Sequence, residues 1–161
     1  MVNRLQQAPP TSNLSAVPPE GVRFLAYKLY HNLTENSYRV QLLNITFKDT
    51  ETGEITRQTG FIIEDTAELR HRIGAEKVEE VYSVPAANFH QDQVRQTAIF
   101  QYAIGNFDWN LSTSRNLKFV RKDGKILAIP YDFDFSVFVS APYSTLNTNV
   151  GVKSKADRIY L

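Results

Sequence analysis

The chain of 161 residues is long enough to form one domain with its own hydrophobic core. Its 18 basic and 17 acidic side chains give a net charge of +1, which does not favour electrostatic capture of nucleic acid or of a membrane surface. Because the chain contains no cysteine, disulfides, cysteine-ligated zinc sites and thiol nucleophiles are excluded.

The first 21 residues contain four of the seven prolines and show no apolar periodicity. Paired prolines favour extended backbone, so residues 1–21 are predicted to be a linker or a disordered arm and residues 22–161 a single domain. The beginning of the chain lacks the apolar segment of a signal peptide, and no apolar run reaches the ~18 residues of a membrane span. The sequence therefore predicts no membrane span and leaves the compartment unassigned.

A helix is predicted over residues 22–36, "VRFLAYKLYHNLTEN". Val22, Leu25, Leu29 and Leu33 recur at helical spacing, and neighbouring aromatic side chains widen the apolar face. We expect a face this broad to pack against a sheet.

A hairpin and a short helix are predicted next. The segments "YRVQLLNITF" and "EITRQTGFIIE" are rich in β-branched and aromatic residues and flank a turn that contains Gly53. This pattern predicts an antiparallel hairpin over about residues 38–63. Asp65 is placed to cap a helix over residues 66–73, and Gly74 is placed to end it.

The clearest helix, over residues 91–104, is predicted to end at Gly105. Its predicted buried face consists of Val94, Ala98, Ile99, Tyr102 and Ala103. A second hairpin, over about residues 116–131, is predicted because Asp123-Gly124 separates the apolar runs "NLKFVRK" and "KILAIPY". Antiparallel hairpins and helices without β-α-β alternation indicate an α+β fold.

Acidic residues lie near the open end of the second hairpin. Counting outwards from the turn puts Asn116 opposite Tyr131, one residue from Asp132, and Pro130 is expected to loosen the pairing there. In an extended "DFDFS" segment, Asp132 and Asp134 would face one way and the two phenylalanine rings the other. Because Mg²⁺ and Mn²⁺ prefer oxygen ligands, this pattern predicts a metal site at Asn116, Asp132 and Asp134. A hairpin with solvated acids at its end is the alternative.

The pattern "GN-x-D…N…P-Y-D-x-D-x-S" resembles the core of the spore-coat protein H family (CotH-like kinases) and, more loosely, of the HipA-like kinases. The resemblance implies that Asp108 is the catalytic aspartate, which positions or deprotonates an acceptor hydroxyl. It implies that Asn116 and Asp132 bind the metal and that Asp134 is a second ligand or a phosphate-side acid. The implied cofactors are ATP and Mg²⁺ or Mn²⁺, and the implied partners are the nucleotide and an unknown phosphate acceptor.

The resemblance also divides the chain into parts of an incomplete kinase-like fold. Residues 22–65 would be a small-lobe remnant, with Glu64 and Asp65 at the hinge that binds the nucleotide. Residues 88–140 would contain the catalytic loop and the metal-binding hairpin.

Three departures separate the chain from complete kinases. The loop from Asp108 to Asn116 is longer than usual, Asp134 stands where a glycine is usual, and no glycine-rich phosphate loop or strand lysine precedes the first helix. The chain is therefore interpreted as a fragment or a degenerate member, and whether it is an enzyme stays open. The alternatives are a non-catalytic, pseudokinase-like binding or structural domain and, with less support, a metal-dependent glycosyltransferase that uses the D-x-D pair.

Overall fold

The computed structural model describes residues 19–78, 84–145, 151, 153, 154 and 157. The arm predicted over residues 1–21 lies outside this part of the chain except for its last three residues, which belong to the first helix. Among the described residues, no helix has both the length and the apolar character needed to cross a membrane.

The described residues form α-helices and two antiparallel sheets, which confirms the predicted α+β class. The helices are α1 (Pro19–Leu33), α2 (Thr66–Ile73) and α3 (Gln91–Ile104), with a 3₁₀ turn at Ala86–Asn88. The strands are β1 (Val40–Lys48), β2 (Ile55–Ile63), β3 (Glu76–Lys77), β4 (Leu117–Lys122) and β5 (Lys125–Pro130). β1 pairs with β2, and the second sheet has the order β3-β4-β5.

The turn between β4 and β5 sets the register of that hairpin. Asp123 and Gly124 both have positive φ, 49° and 74°, and the two strands pair directly across them. Such a two-residue turn needs positive φ at both positions because its twist then matches that of the strands. The predicted hairpin is confirmed, and so is the first one, in which Val40 lies opposite Ile63.

The predicted ends of α2 and α3 are also confirmed. The Asp65 side chain accepts a hydrogen bond of 2.7 Å from the Ala67 amide and so caps α2. Gly74 and Gly105, with φ of 66° and 64°, end α2 and α3 in the left-handed conformation that glycine adopts without steric strain.

Helix α1 begins earlier than predicted, and only part of its predicted apolar face is buried. Its first residue is Pro19, a residue favoured at the first helical position. The predicted leucine face is exposed, with accessibilities of 43% at Leu25, 44% at Leu29 and 54% at Leu33. Tyr27 and Tyr30, which belong to the aromatic part of the predicted face, are buried together with Ala26. A small alanine allows close approach to the core, and the buried tyrosines have hydrogen-bond partners, which makes this face the favourable one to bury.

Helix α3 buries Ala98, as predicted, and also polar residues outside the predicted buried face. Ile99 and Tyr102, predicted to be buried, are 59% and 41% exposed, whereas Gln93, Thr97 and Gln101 are buried. Gln93 explains the difference, because its side chain donates to the Ala128 carbonyl (2.6 Å) and accepts from the Ala128 amide (3.0 Å). Since β5 is an edge strand, Gln93 satisfies backbone groups that another strand would otherwise pair.

Aromatic rings fill the core between α1, α3 and the sheet of β3, β4 and β5. Phe133 is 1% exposed, and its ring centroid lies 4.8 Å from that of Tyr27 and 5.6 Å from that of Phe100. Because Phe133 stands between Asp132 and Asp134 in the chain, the core fixes the backbone of the acidic segment.

Replacement of Phe133 by alanine should lower the free energy of unfolding by about 3–5 kcal/mol, because it leaves a large cavity among tightly packed rings. Phe135→Ala is the matched control, since Phe135 is 37% exposed and its loss should lower this free energy by about 1 kcal/mol or less. Urea unfolding followed by circular dichroism measures both values. Equal losses in the two variants would show that Phe133 is not the anchor.

The structure also predicts a pH dependence of stability through His31. Burial lowers the pKa of His31, whose Nδ1 lies 2.8 Å from the Ser37 hydroxyl oxygen. In the unfolded chain the pKa is about 6.5, so between the two pKa values the unfolded state binds more protons. This contribution to stability is therefore complete above the unfolded value and is lost as the pH falls through the folded one.

The urea midpoint should fall more steeply from about pH 7 to about pH 5 in the wild-type protein than in His31→Gln, which has no titrating ring. Parallel pH profiles of the two proteins would contradict the assignment to His31.

Candidate functional site

The loop that carries Asp108 is positioned by the last turn of α3. Asn106 is only 2% exposed; its side-chain amide donates to Gln101 Oε1 (3.0 Å), and its Oδ1 accepts from the Asp108 amide (3.0 Å). Gln101 is itself fully buried on α3. The position of the Asp108 backbone therefore depends on two buried amide side chains.

The side chain of Asp108 is held from two directions. Arg115 Nε lies 2.7 Å from Oδ1, and Asn116 Nδ2 donates to Oδ2 (2.9 Å). The same Asn116 nitrogen lies 2.6 Å from the Asp108 carbonyl oxygen, so one amide group contacts both the backbone and the carboxylate. Asn116 adopts a φ of 52°, a left-handed conformation that asparagine tolerates better than most residues.

The register of β4 and β5 places Asn116 beside Asp132, as the turn predicted. The Tyr131 amide donates to the Asn116 carbonyl (3.0 Å), and β5 ends at Pro130. Asp132 follows with a φ of 57°, and its amide donates to the Tyr27 hydroxyl (2.9 Å). The two residues thus lie at the same end of the hairpin although sixteen positions separate them in the chain.

The carboxylate of Asp132 lies in a negative environment. Asp132 is an exposed residue, and the hydrogen bond it accepts from the Asp134 amide is long, at 3.4 Å. Partial desolvation by the surrounding loop raises its pKa, and the negative charges of Asp134 and Asp108 raise it further. A cation bound at this point would offset that repulsion.

Asp134 does not share a side of an extended strand with Asp132. That expectation was wrong, because the left-handed conformation of Asp132 turns the chain and residues 134 and 135 lie in a turn. Asp134 Oδ1 instead pairs with Arg23 Nε at 2.8 Å, and the Tyr143 hydroxyl donates to Oδ2. Desolvation and the contact with Asp134 raise the pKa of Tyr143 to about 12, so this phenol remains a donor at neutral pH.

The predicted metal ligands are therefore only partly brought together. In the described part of the chain, no three Asp, Glu or His side chains gather closely enough to hold a metal ion. Asn116 and Asp132 adjoin, but the Asp134 carboxylate is bound by Arg23 and Tyr143. Asp134 would need to leave these partners before it could serve as a ligand.

Glu64 and Asp65, predicted to contact a nucleotide, have structural contacts through their side chains. Glu64 forms a two-point ion pair with Arg72 at 2.7 and 2.8 Å and accepts from the Arg39 amide. Desolvation would raise the pKa of Glu64, but these contacts together outweigh it and lower the pKa. Asp65 caps α2 through Oδ1 as described above, so both side chains have structural roles in this arrangement.

The sequence analysis did not identify three residues that contact the acidic segment, namely Arg23, Tyr27 and Tyr143. Arg23 and Tyr27 are four residues apart on α1, and both contact the segment after β5. Helical spacing alone reveals that they share a face, but no sequence signal indicates the segment that this face meets.

Comparisons with models of protein families, with curated proteins and with solved structures found no match for the chain.

The contribution of Asn116 can be separated into its amide contacts and its backbone conformation. Asn116→Gly removes the amide but accepts the positive φ, and it should lower the free energy of unfolding by about 1–2 kcal/mol through the two lost hydrogen bonds to Asp108. Asn116→Ala should lower it by about a further 1 kcal/mol, since alanine is strained at this φ. Urea unfolding followed by the fluorescence of Trp109, the single tryptophan, measures both. An alanine variant as stable as the glycine variant would contradict this division.

Proposed function

We propose that the chain is the core of an ATP-dependent phosphotransferase of kinase-like type, which uses Mg²⁺ or Mn²⁺. The observation that carries the proposal is the double contact of Asn116 with the carbonyl and carboxylate of Asp108, next to Asp132 at the end of the hairpin. In the proposed roles, Asp108 is the catalytic aspartate, and Asn116 and Asp132 are metal ligands.

The side chains present fit a divalent cation with oxygen ligands. Asp132 is an exposed residue whose pKa is raised by partial desolvation and then by the negative charges of Asp134 and Asp108. Asn116 uses its amide nitrogen rather than Oδ1 to hold Asp108. Such carboxylate and amide oxygens are the donors that Mg²⁺ and Mn²⁺ prefer. When bound, the metal would neutralise charge on the nucleotide phosphates.

The role of Asp108 follows from the contacts of its two oxygens. Asn116 fixes Oδ2 and the backbone, which sets the orientation of the carboxylate. The partner of Oδ1, Arg115, is 59% exposed, and an ion pair with so exposed a partner is weak. An acceptor hydroxyl would therefore displace Arg115 from Oδ1 readily and be oriented by the carboxylate, while Arg115 is left near the reacting phosphate.

A non-catalytic binding or structural domain is the second candidate. The observation in its favour is that the Asp134 carboxylate is already neutralised by Arg23 and hydrogen-bonded by Tyr143. A domain with this arrangement as its permanent state would bind neither Mn²⁺ nor the nucleotide.

Binding of MgATP to the full chain tests the proposal. Millimolar MgATP should raise the melting temperature of the wild-type protein, because a ligand that binds only the folded state stabilises it by mass action. Asp132→Asn should weaken binding by more than about tenfold, since it removes a charged metal ligand. Differential scanning fluorimetry and titration calorimetry measure the two effects.

Asp123→Asn is the matched control, because it makes the same change of charge at the exposed turn of the same hairpin and asparagine suits that turn. This variant should bind MgATP like the wild-type protein. If MgATP raises the melting temperature of wild type and of Asp132→Asn equally, the phosphotransferase proposal fails. If MgATP raises the melting temperature of none of the three proteins, the non-catalytic candidate replaces it.

A further inference from the structure

Three side chains, one on α1 and two in the segment that follows β5, form a closed ring of polar contacts. Arg23 Nε lies 2.8 Å from Asp134 Oδ1, Arg23 Nη2 donates to the Tyr143 hydroxyl (2.6 Å), and that hydroxyl donates to Asp134 Oδ2. The guanidinium also lies over the Tyr143 ring, 5.7 Å from its centroid. We call this ring of Arg23, Asp134 and Tyr143 the clamp.

The clamp joins parts of the chain that are far apart in sequence. Arg23 is 120 residues from Tyr143, whereas Tyr143 is only nine residues from Asp134. One turn further along α1, Tyr27 is buried against Phe133 and accepts a hydrogen bond from the Asp132 amide. Tyr27 therefore fixes the backbone of the acidic segment, and Arg23 determines where the Asp134 side chain points.

Both oxygens of the Asp134 carboxylate are used in the clamp. The side chains of Arg23 and Asp134 are only 22% and 23% exposed, so their attraction is screened less than that of a surface pair. A divalent cation that binds Asp134 must compete with these contacts for the carboxylate oxygens and must also approach the positive charge of Arg23. The neighbouring Asp132 has no such restraint, because its carboxylate accepts only a long hydrogen bond in the described part of the chain.

We propose that Arg23 and Tyr143 hold Asp134 away from a divalent cation, so that the cation engages both Asp132 and Asp134 only when the clamp opens. This inference rests on the proposed function for the location of the metal site, but it concerns the residues that control that site. The apparent affinity for the cation is then the affinity of the open state multiplied by the fraction of molecules in which the clamp is open.

The opposite role for Arg23 predicts the opposite result. If Arg23 merely orients Asp134 towards a cation, its removal must weaken binding, because an ordered ligand becomes disordered. If the clamp competes with the cation, its removal must strengthen binding. The sign of the change therefore decides between the two roles.

The experiment measures the binding of Mn²⁺ alone, without nucleotide, to the full chain by the loss of the electron paramagnetic resonance signal of free Mn²⁺. Arg23→Gln should bind Mn²⁺ about tenfold more tightly than wild type, because it loses both the ion pair and the repulsive charge. Tyr143→Phe should bind about threefold more tightly, because it loses the hydrogen bond to Asp134 at unchanged charge.

Arg95→Gln is the matched control, because it removes one positive charge, as Arg23→Gln does. Arg95 lies on α3 and forms an exposed ion pair with Asp92. Its Mn²⁺ affinity should stay within twofold of wild type. Should Arg23→Gln fail to fold, Tyr143→Phe decides alone, because Tyr143 is 47% exposed and outside the core. Circular dichroism and the melting temperature establish which variants fold.

The clamp proposal is overturned if folded Arg23→Gln or Tyr143→Phe binds Mn²⁺ with unchanged or weaker affinity, including the case in which no variant binds Mn²⁺. Failure of the proposed function has a different signature. In that case Arg23→Gln and Tyr143→Phe bind Mn²⁺ more tightly than wild type, but MgATP does not raise the melting temperature of any of the proteins. This result supports the clamp and rejects the phosphotransferase proposal.

Discussion

The burial of Phe133 is the interaction on which the candidate site depends. Its ring contacts Tyr27 of α1 and Phe100 of α3 and is almost completely buried, while its chain neighbours are the two acids of the site. Burying a phenylalanine stabilises the fold by roughly 1.5–3 kcal/mol, which is enough to fix a short loop against the core. An apolar contact therefore fixes the backbone that carries Asp132 and Asp134, and polar partners then set the direction of the Asp134 side chain.

The same site also depends on backbone conformations that few residues tolerate. Asn116 and Asp132 both adopt positive φ, 52° and 57°, at the open end of the β4-β5 hairpin. Strained positions persist only where the surrounding contacts determine them, and here the Asn116 amide and the Tyr27 hydroxyl supply those contacts. Asparagine and aspartate at these positions thus serve the backbone as well as any chemistry.

The sequence predicted the parts of this arrangement that local chemistry determines. The Asp123-Gly124 turn fixes the hairpin register within a few residues, and from that register the meeting of Asn116 with Asp132 follows by counting. The buried faces of α1 and α3 were predicted only in part. Tyr27, Tyr30 and Ala98 are buried as expected, but α3 also buries Gln93, which satisfies backbone groups of the edge strand β5 and can be buried only where that edge lies. The ion pair between Asp134 and Arg23 could not be predicted either, since no periodicity in the sequence connects two residues so far apart in the chain.

Helix α1 connects these two levels of the structure, the core and the charged site. Tyr27 and Arg23 lie one turn apart on the helix; the first is buried against Phe133, and the second pairs with Asp134. Because the helix is nearly rigid over one turn, a shift of α1 that loosens the aromatic contact must also move the guanidinium. The position of the Asp134 carboxylate is therefore coupled to how tightly α1 packs on the core, and any contact that displaces α1 would change both together.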